Sequence, residues 1–136
     1  MAKAAKQKPL HANHRARMQA RVRRDGLESL AEHEALEYLL FLAIPRQNTN
    51  PLAHRLIQHF GSFCRVLEAG EDELCEVDGI GPSSARMIHS VLEFARYYSM
   101  HKRVGRVSLN STERVIEYVK PLFFGVQNEV LYLIAM

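Results

Sequence analysis

Tryptophan is absent from this 136-residue sequence, cysteine occurs only twice, and no apolar run approaches the ~18 residues that a membrane span needs. The longest stretch without strong polarity, Tyr38 to Pro45, falls far short of that length, and the N-terminus is basic without the apolar centre of a signal peptide. A soluble, cytoplasmic protein with no membrane partner is therefore expected. Cys64 and Cys75 fit no C-x-x-C spacing, so two buried thiols are expected, with no disulfide and no structural zinc. The seven histidines show no His-x-His and no pair four apart around an acid, which argues against a metal site.

Acidic residues are missing from the first 24 positions. That segment carries Lys3, Lys6, Lys8, Arg15, Arg17, Arg21, Arg23 and Arg24, a charge of +8, whereas residues 25–136 hold 10 basic and 15 acidic side chains, or −5. The overall +3 is thus the sum of a cationic arm and an anionic body. Such an arm can bind polyanions by releasing their counterions, or it can serve as a solubilising end that folds back on the body; charge alone leaves both open.

What is present is mostly helical in period. Residues 1–10 have little to bury and are expected to be disordered, and the arginines from Arg15 to Arg24 fit a short basic helix stopping near Gly26. Ser29 with Glu32 has capping-box spacing for a helix carrying Leu36, Leu39, Leu40 and Phe41 and stopping at Pro45. Asn50-Pro51 reads as an N-cap and first-turn proline for a helix with Leu52, Leu56, Ile57 and Phe60, closed by Gly61. Ser62 starts a short helix, the stretch Glu68 to Asp78 contains another, and a long helix from Pro82 to about Met100 buries Ala85, Ile88, Val91, Leu92 and Ala95. Beyond it, Val104 to Leu109 suggests an extended segment, Asn110 with Glu113 a helix broken near Pro121, and Glu129 to Met136 a strand buried on both faces.

The most informative string is Leu74-Cys-Glu-Val77-Asp-Gly79-Ile80-Gly81-Pro-Ser-Ser-Ala85-Arg-Met-Ile88. Two helices joined by a tight hairpin need glycine where the backbone turns and where it approaches another group closely. Ile80 plugs the crook of the two helices, Pro82 presets the first turn of the second, and Ala85 lets them pack closely. Hairpin and first-turn N–H groups then point outward, where they suit a phosphate. The candidate anion-binding residues are Gly79, Ile80, Gly81, Ser83, Ser84 and Arg86, with Arg15, Arg17, Arg21, Arg23 and Arg24 as a basic arm. The earlier pair of helices, Glu34 to Ile44 and Pro51 to Phe60, is joined by a short polar loop and suggests a degenerate copy of the same hairpin unit.

These residues resemble the helix-hairpin-helix motif of sequence-nonspecific DNA-binding proteins. This chain departs from it by carrying serines where a lysine often follows the hairpin, and by an acidic preceding helix with Glu71, Asp72, Glu73, Glu76 and Asp78. Gly26-Leu-Glu-Ser-Leu30, Leu39 to Pro51 with its I-P-R-Q-N-T-N-P block, Phe60-Gly-Ser62 and Val77-Asp-Gly-Ile-Gly81 together resemble the N-terminal domain of bacterial RadC-like proteins. The resemblance implies a mainly α fold, a helical bundle with a helix-hairpin-helix motif, followed by an incomplete α/β segment of JAB/MPN type. It implies a division into a basic, partly disordered arm (1–24), a helical domain (25–102) and the start of a JAB/MPN-like domain (103–136), as in a C-terminally truncated member.

In that family a JAMM motif supplies a glutamate, His-x-His and aspartate around zinc. Glu129 stands where the resemblance places the glutamate, but the zinc ligands are missing, so no catalytic residue, no metal and no cofactor are expected, zinc belonging to a full-length member. Three readings follow: a nucleic-acid-binding module linked by the resemblance to DNA repair or recombination, a helical protein-interaction or scaffold domain without DNA binding, and a fragment of a zinc metalloprotease-like protein. The oligomeric state is left open.

Overall fold

The computed structural model describes residues 12–102, 110–124, 126 and 129–132. These form seven helices: α1 (Ala12–Asp25), α2 (Glu32–Ala43), α3 (Asn50–Phe60), α4 (Phe63–Glu68), α5 (Glu71–Cys75), α6 (Pro82–His101) and α7 (Thr112–Phe123), with a 3-10 turn at Leu27–Ser29. The fold is mainly helical, with no strand among the described residues. No described helix is long and apolar enough to cross a membrane.

The helix starts are set by side chains at the ends, in part not those expected. Ser29 does not cap α2: its hydroxyl donates to the Gly26 carbonyl inside the 3-10 turn. The chain then extends through Leu30 and Ala31, and Glu34 reaches back to accept the Ala31 N–H at 3.0 Å. Nor does the Asn50 side chain cap α3, because its amide donates to Glu37 at 3.0 Å; Thr49 holds the N-cap position and Pro51 lies in the first turn. Gly61 closes α3 in the left-handed region at φ 96°, and the Ser62 hydroxyl accepts from the Arg65 N–H to start α4.

The core lies between α2, α3, α4 and α6, with α5 packed on α6. Leu36, Leu40, Leu56, Val66, Leu74 and Ile88 are fully buried, each contributing roughly 1.5–3 kcal/mol. Ala85 is buried without remainder, as the close crossing of α6 requires. The two cysteines are exposed, not buried: α4 points Val66 and Leu67 inward, α5 points Leu74 inward, and Cys64 and Cys75 take the outward positions.

Helix α1 is docked on α2. Met18 is buried against the body, and Arg15 lies under the C-terminal end of α2, where it donates to the carbonyls of Ile44 (2.6 Å) and Pro45 (2.9 Å) and stacks its guanidinium 4.5 Å from the Phe41 ring centre. A cation here satisfies carbonyls that a helix end leaves unpaired.

After α6, the expected extended segment at 104–109 lies outside the described residues, as do residues 1–11 and 133–136. Glu129–Tyr132, expected as the start of a buried strand, is irregular, since no neighbouring strand among the described residues offers backbone partners. Side chains hold this stretch instead: the Tyr132 hydroxyl donates to the Leu122 carbonyl and accepts from Arg96, and its ring meets Phe123 edge-on.

Candidate nucleic-acid interface

The segment between α5 and α6 is a tight turn. The Ile80 N–H donates to the Val77 carbonyl at 2.9 Å, and both side chains are buried beneath the turn. Gly79 has φ +96°, a backbone conformation that favours glycine. No side chain caps α6, and among the described residues nothing accepts from the Gly79 and Gly81 amides. With Ile80 engaged internally, the backbone donors without an acceptor among the described residues are those of Gly79, Gly81 and the first turn of α6.

The two glycines differ in what they permit. A Cβ at Gly79 would lie 3.2 Å from Arg55 Nη2 and 3.3 Å from Leu52 Cδ1, in addition to the positive φ. Gly81 has φ −96° and ψ 172°, extended backbone open to any residue, and a Cβ there would meet nothing within 4 Å. The fold requires glycine at Gly79, whereas at Gly81, the N-cap of α6, glycine is favoured without being required.

Of the other expected anion contacts, Ser83 is exposed and Ser84 is buried. Arg86 is held between Glu71 and Glu93, each at 2.6 Å, so two carboxylates already compete for its charge. They raise its pKa, Glu71 foremost through its hydrogen bond.

The arm arginines separate in the same way. Arg15 is bound to the end of α2, Arg21 donates to Glu34 at 3.1 Å and to the Ser29 carbonyl, and Arg24 pairs with Asp25 at 2.7 Å. Arg17 and Arg23 are exposed and form no ion pair among the described residues. Glu129 is exposed, with no group of three metal-ligating side chains among the described residues. The chain also has no His-x-His, so its residues do not fit a JAMM zinc site.

Nothing in the sequence marks Arg55. It sits one turn into α3 with no motif around it, and only the packing of α3 against the hairpin brings its guanidinium over Gly79. Leu52, in the first turn of α3, touches the same glycine, so the N-terminal part of α3 and the turn leading into α6 lie on one side of the bundle. Both helices have a proline in the first turn and no side-chain cap.

Many curated proteins are similar to this chain, among them two UPF0758 proteins. A UPF0758 protein of Rhodobacter capsulatus is 37% identical over 93 residues, covering 68% of this chain and 44% of its own length. A UPF0758 protein of Ruegeria pomeroyi is 36% identical over 107 residues, covering 78% of this chain and 47% of its own. The chain is a homologue of UPF0758 proteins. It spans just under half the length of these UPF0758 relatives. No family model matches the chain, and no solved structure matches it.

Proposed function

We propose that this chain is a helix-hairpin-helix module that binds the DNA backbone without reading sequence, acting in the cytoplasm in DNA repair or recombination. UPF0758 is the name of the RadC family, in keeping with the resemblance carried by the I-P-R-Q-N-T-N-P block and the Gly79–Gly81 turn. The observation that carries the reading is Gly81. Neither its backbone angles nor its surroundings require glycine at this N-cap position, and a bare backbone there leaves room for a ligand to come close. A phosphate suits the unpaired Gly79 and Gly81 amides and the positive end of α6. Within these residues the module is non-catalytic and carries no cofactor, because the ligands for zinc are missing from the sequence.

The test is Gly81→Ala. Its stability should stay within about 1 kcal/mol of the parent, since the new methyl group meets open space and only the N-cap preference changes. Its affinity for a fluorescein-labelled duplex, measured by anisotropy at low salt, should fall by roughly tenfold, as expected when a backbone–phosphate hydrogen bond is blocked. Unchanged affinity in a folded variant would leave Gly81 without a part in DNA binding.

A second reading, a protein-interaction domain, is favoured by Phe94, Tyr97 and Tyr98, which are exposed close together on α6. Absence of DNA binding, together with a partner that no longer binds on Phe94→Ser, would establish it in place of the first.

A further inference from the structure

The hairpin lacks the lysine that would place a cation beside its amides, and the arginine that follows it, Arg86, is bound to Glu71 and Glu93. A different helix fills that place. Arg55 Nη2 lies 3.2 Å from the position a Cβ would take on Gly79, so the guanidinium rests on the face of the turn that only glycine leaves open. Arg55 is exposed and forms no ion pair among the described residues, although Asp78 directly precedes Gly79. It is therefore an exposed cation beside Gly79 with no ion-pair partner among the described residues, on a turn whose Gly79 and Gly81 amides find no acceptor there either.

We infer that Arg55 is a phosphate-contacting residue of the hairpin, supplied across the bundle by α3 in place of the missing lysine. This rests on the DNA-binding reading of Gly79–Gly81. A guanidinium donates from a planar fork and can bridge two oxygens of one phosphodiester while the Gly79 and Gly81 amides take a third point. Glycine at 79 then has two functions, the positive φ of the turn and clearance for the guanidinium. The cation approaches from α3 rather than from the acidic α5, on which Glu71 is paired with Arg86.

The experiment compares the parent chain, Arg55→Ala, Arg55→Lys and, as a surface control, Arg65→Ala, each titrated against a fluorescein-labelled 20-base-pair duplex over a range of salt. Arg55→Ala is expected to bind roughly fivefold or more weakly and to reduce the slope of log affinity against log salt by about one unit, the signature of one phosphate contact. Arg55→Lys should recover the slope and only part of the affinity, and Arg65→Ala should match the parent. If the parent binds and Arg55→Ala keeps its affinity and slope, the inference is overturned while the DNA-binding reading stands. If the parent itself shows no salt-dependent binding, both fall together. Circular dichroism melts of the variants confirm that the comparison is between folded chains, Arg55 being exposed and outside the core.

Discussion

Gly79 and Gly81 are two positions apart and constrained by different physics. Gly79→Ala would place a methyl group 3.2 Å from a guanidinium and 3.3 Å from a leucine, at a positive φ that L-residues adopt at a cost. We expect a loss of about 1–3 kcal/mol in the urea unfolding free energy, several times that of Gly81→Ala. An equal effect for the two substitutions would show that the turn is not held as described. Local demand of another kind governs Glu37, whose carboxylate is 1% exposed yet accepts from Asn50 and lies 3.1 Å from His14 Nε2. Asn50 leaves the capping role that its place before Pro51 suggests because a buried carboxylate without donors would cost more than a missing cap.

Helix α2 shows how an end is fixed by charge. The Ala31 N–H foremost, and then Arg21, hold the Glu34 carboxyl below its ordinary range. A carboxyl whose pKa is lowered on folding contributes stability that is fully present above the ordinary value of 4.5 and is lost as pH falls through the lower folded value. The parent should therefore lose stability to acid more steeply than Glu34→Gln in urea midpoints measured from pH 6 to pH 3, and identical profiles would discount the cap. Much of this architecture is legible in the sequence. Gly61, Ser62, Pro82 and the three-to-four spacing of Ala85, Ile88 and Val91 are local signals, and the helices they bound lie where those signals place them. The start of α2 is ambiguous in the sequence because Ser29-x-x-Glu32 and Ala31-x-x-Glu34 offer competing spacings, and only the second leaves the chain extended at the cap. Arg55 is illegible for a different reason. Its significance is a contact between α3 and a turn 24 residues away, and no spacing within either segment encodes it.

The division of charge into a cationic arm and an anionic body also takes a different form once α1 is docked. Of the five arginines in residues 12–24, three are tied to carbonyls or carboxylates of the chain itself, which leaves Arg17 and Arg23 as the arginines of that helix with neither a side-chain hydrogen bond nor an ion pair among the described residues. Deleting the helix would be a poor test of polyanion binding, because it would also remove buried Met18 and the Arg15 hydrogen bonds at the end of α2. The double variant Arg17→Ala, Arg23→Ala touches neither. If the helix takes part in DNA binding, this variant should melt as the parent does and show a shallower salt dependence, by up to ~0.9 for each phosphate no longer neutralised. An unchanged slope would confine the interface to the Gly79–Gly81 turn and assign the arginines of α1 to docking and solubility. Because the body is net negative, the hairpin then acts against a repulsive field, and its binding should weaken with salt less steeply than that of a uniformly basic module. The slope of the parent chain thus separates a single phosphate clamp from an extended electrostatic surface, a distinction that net charge and pI cannot make.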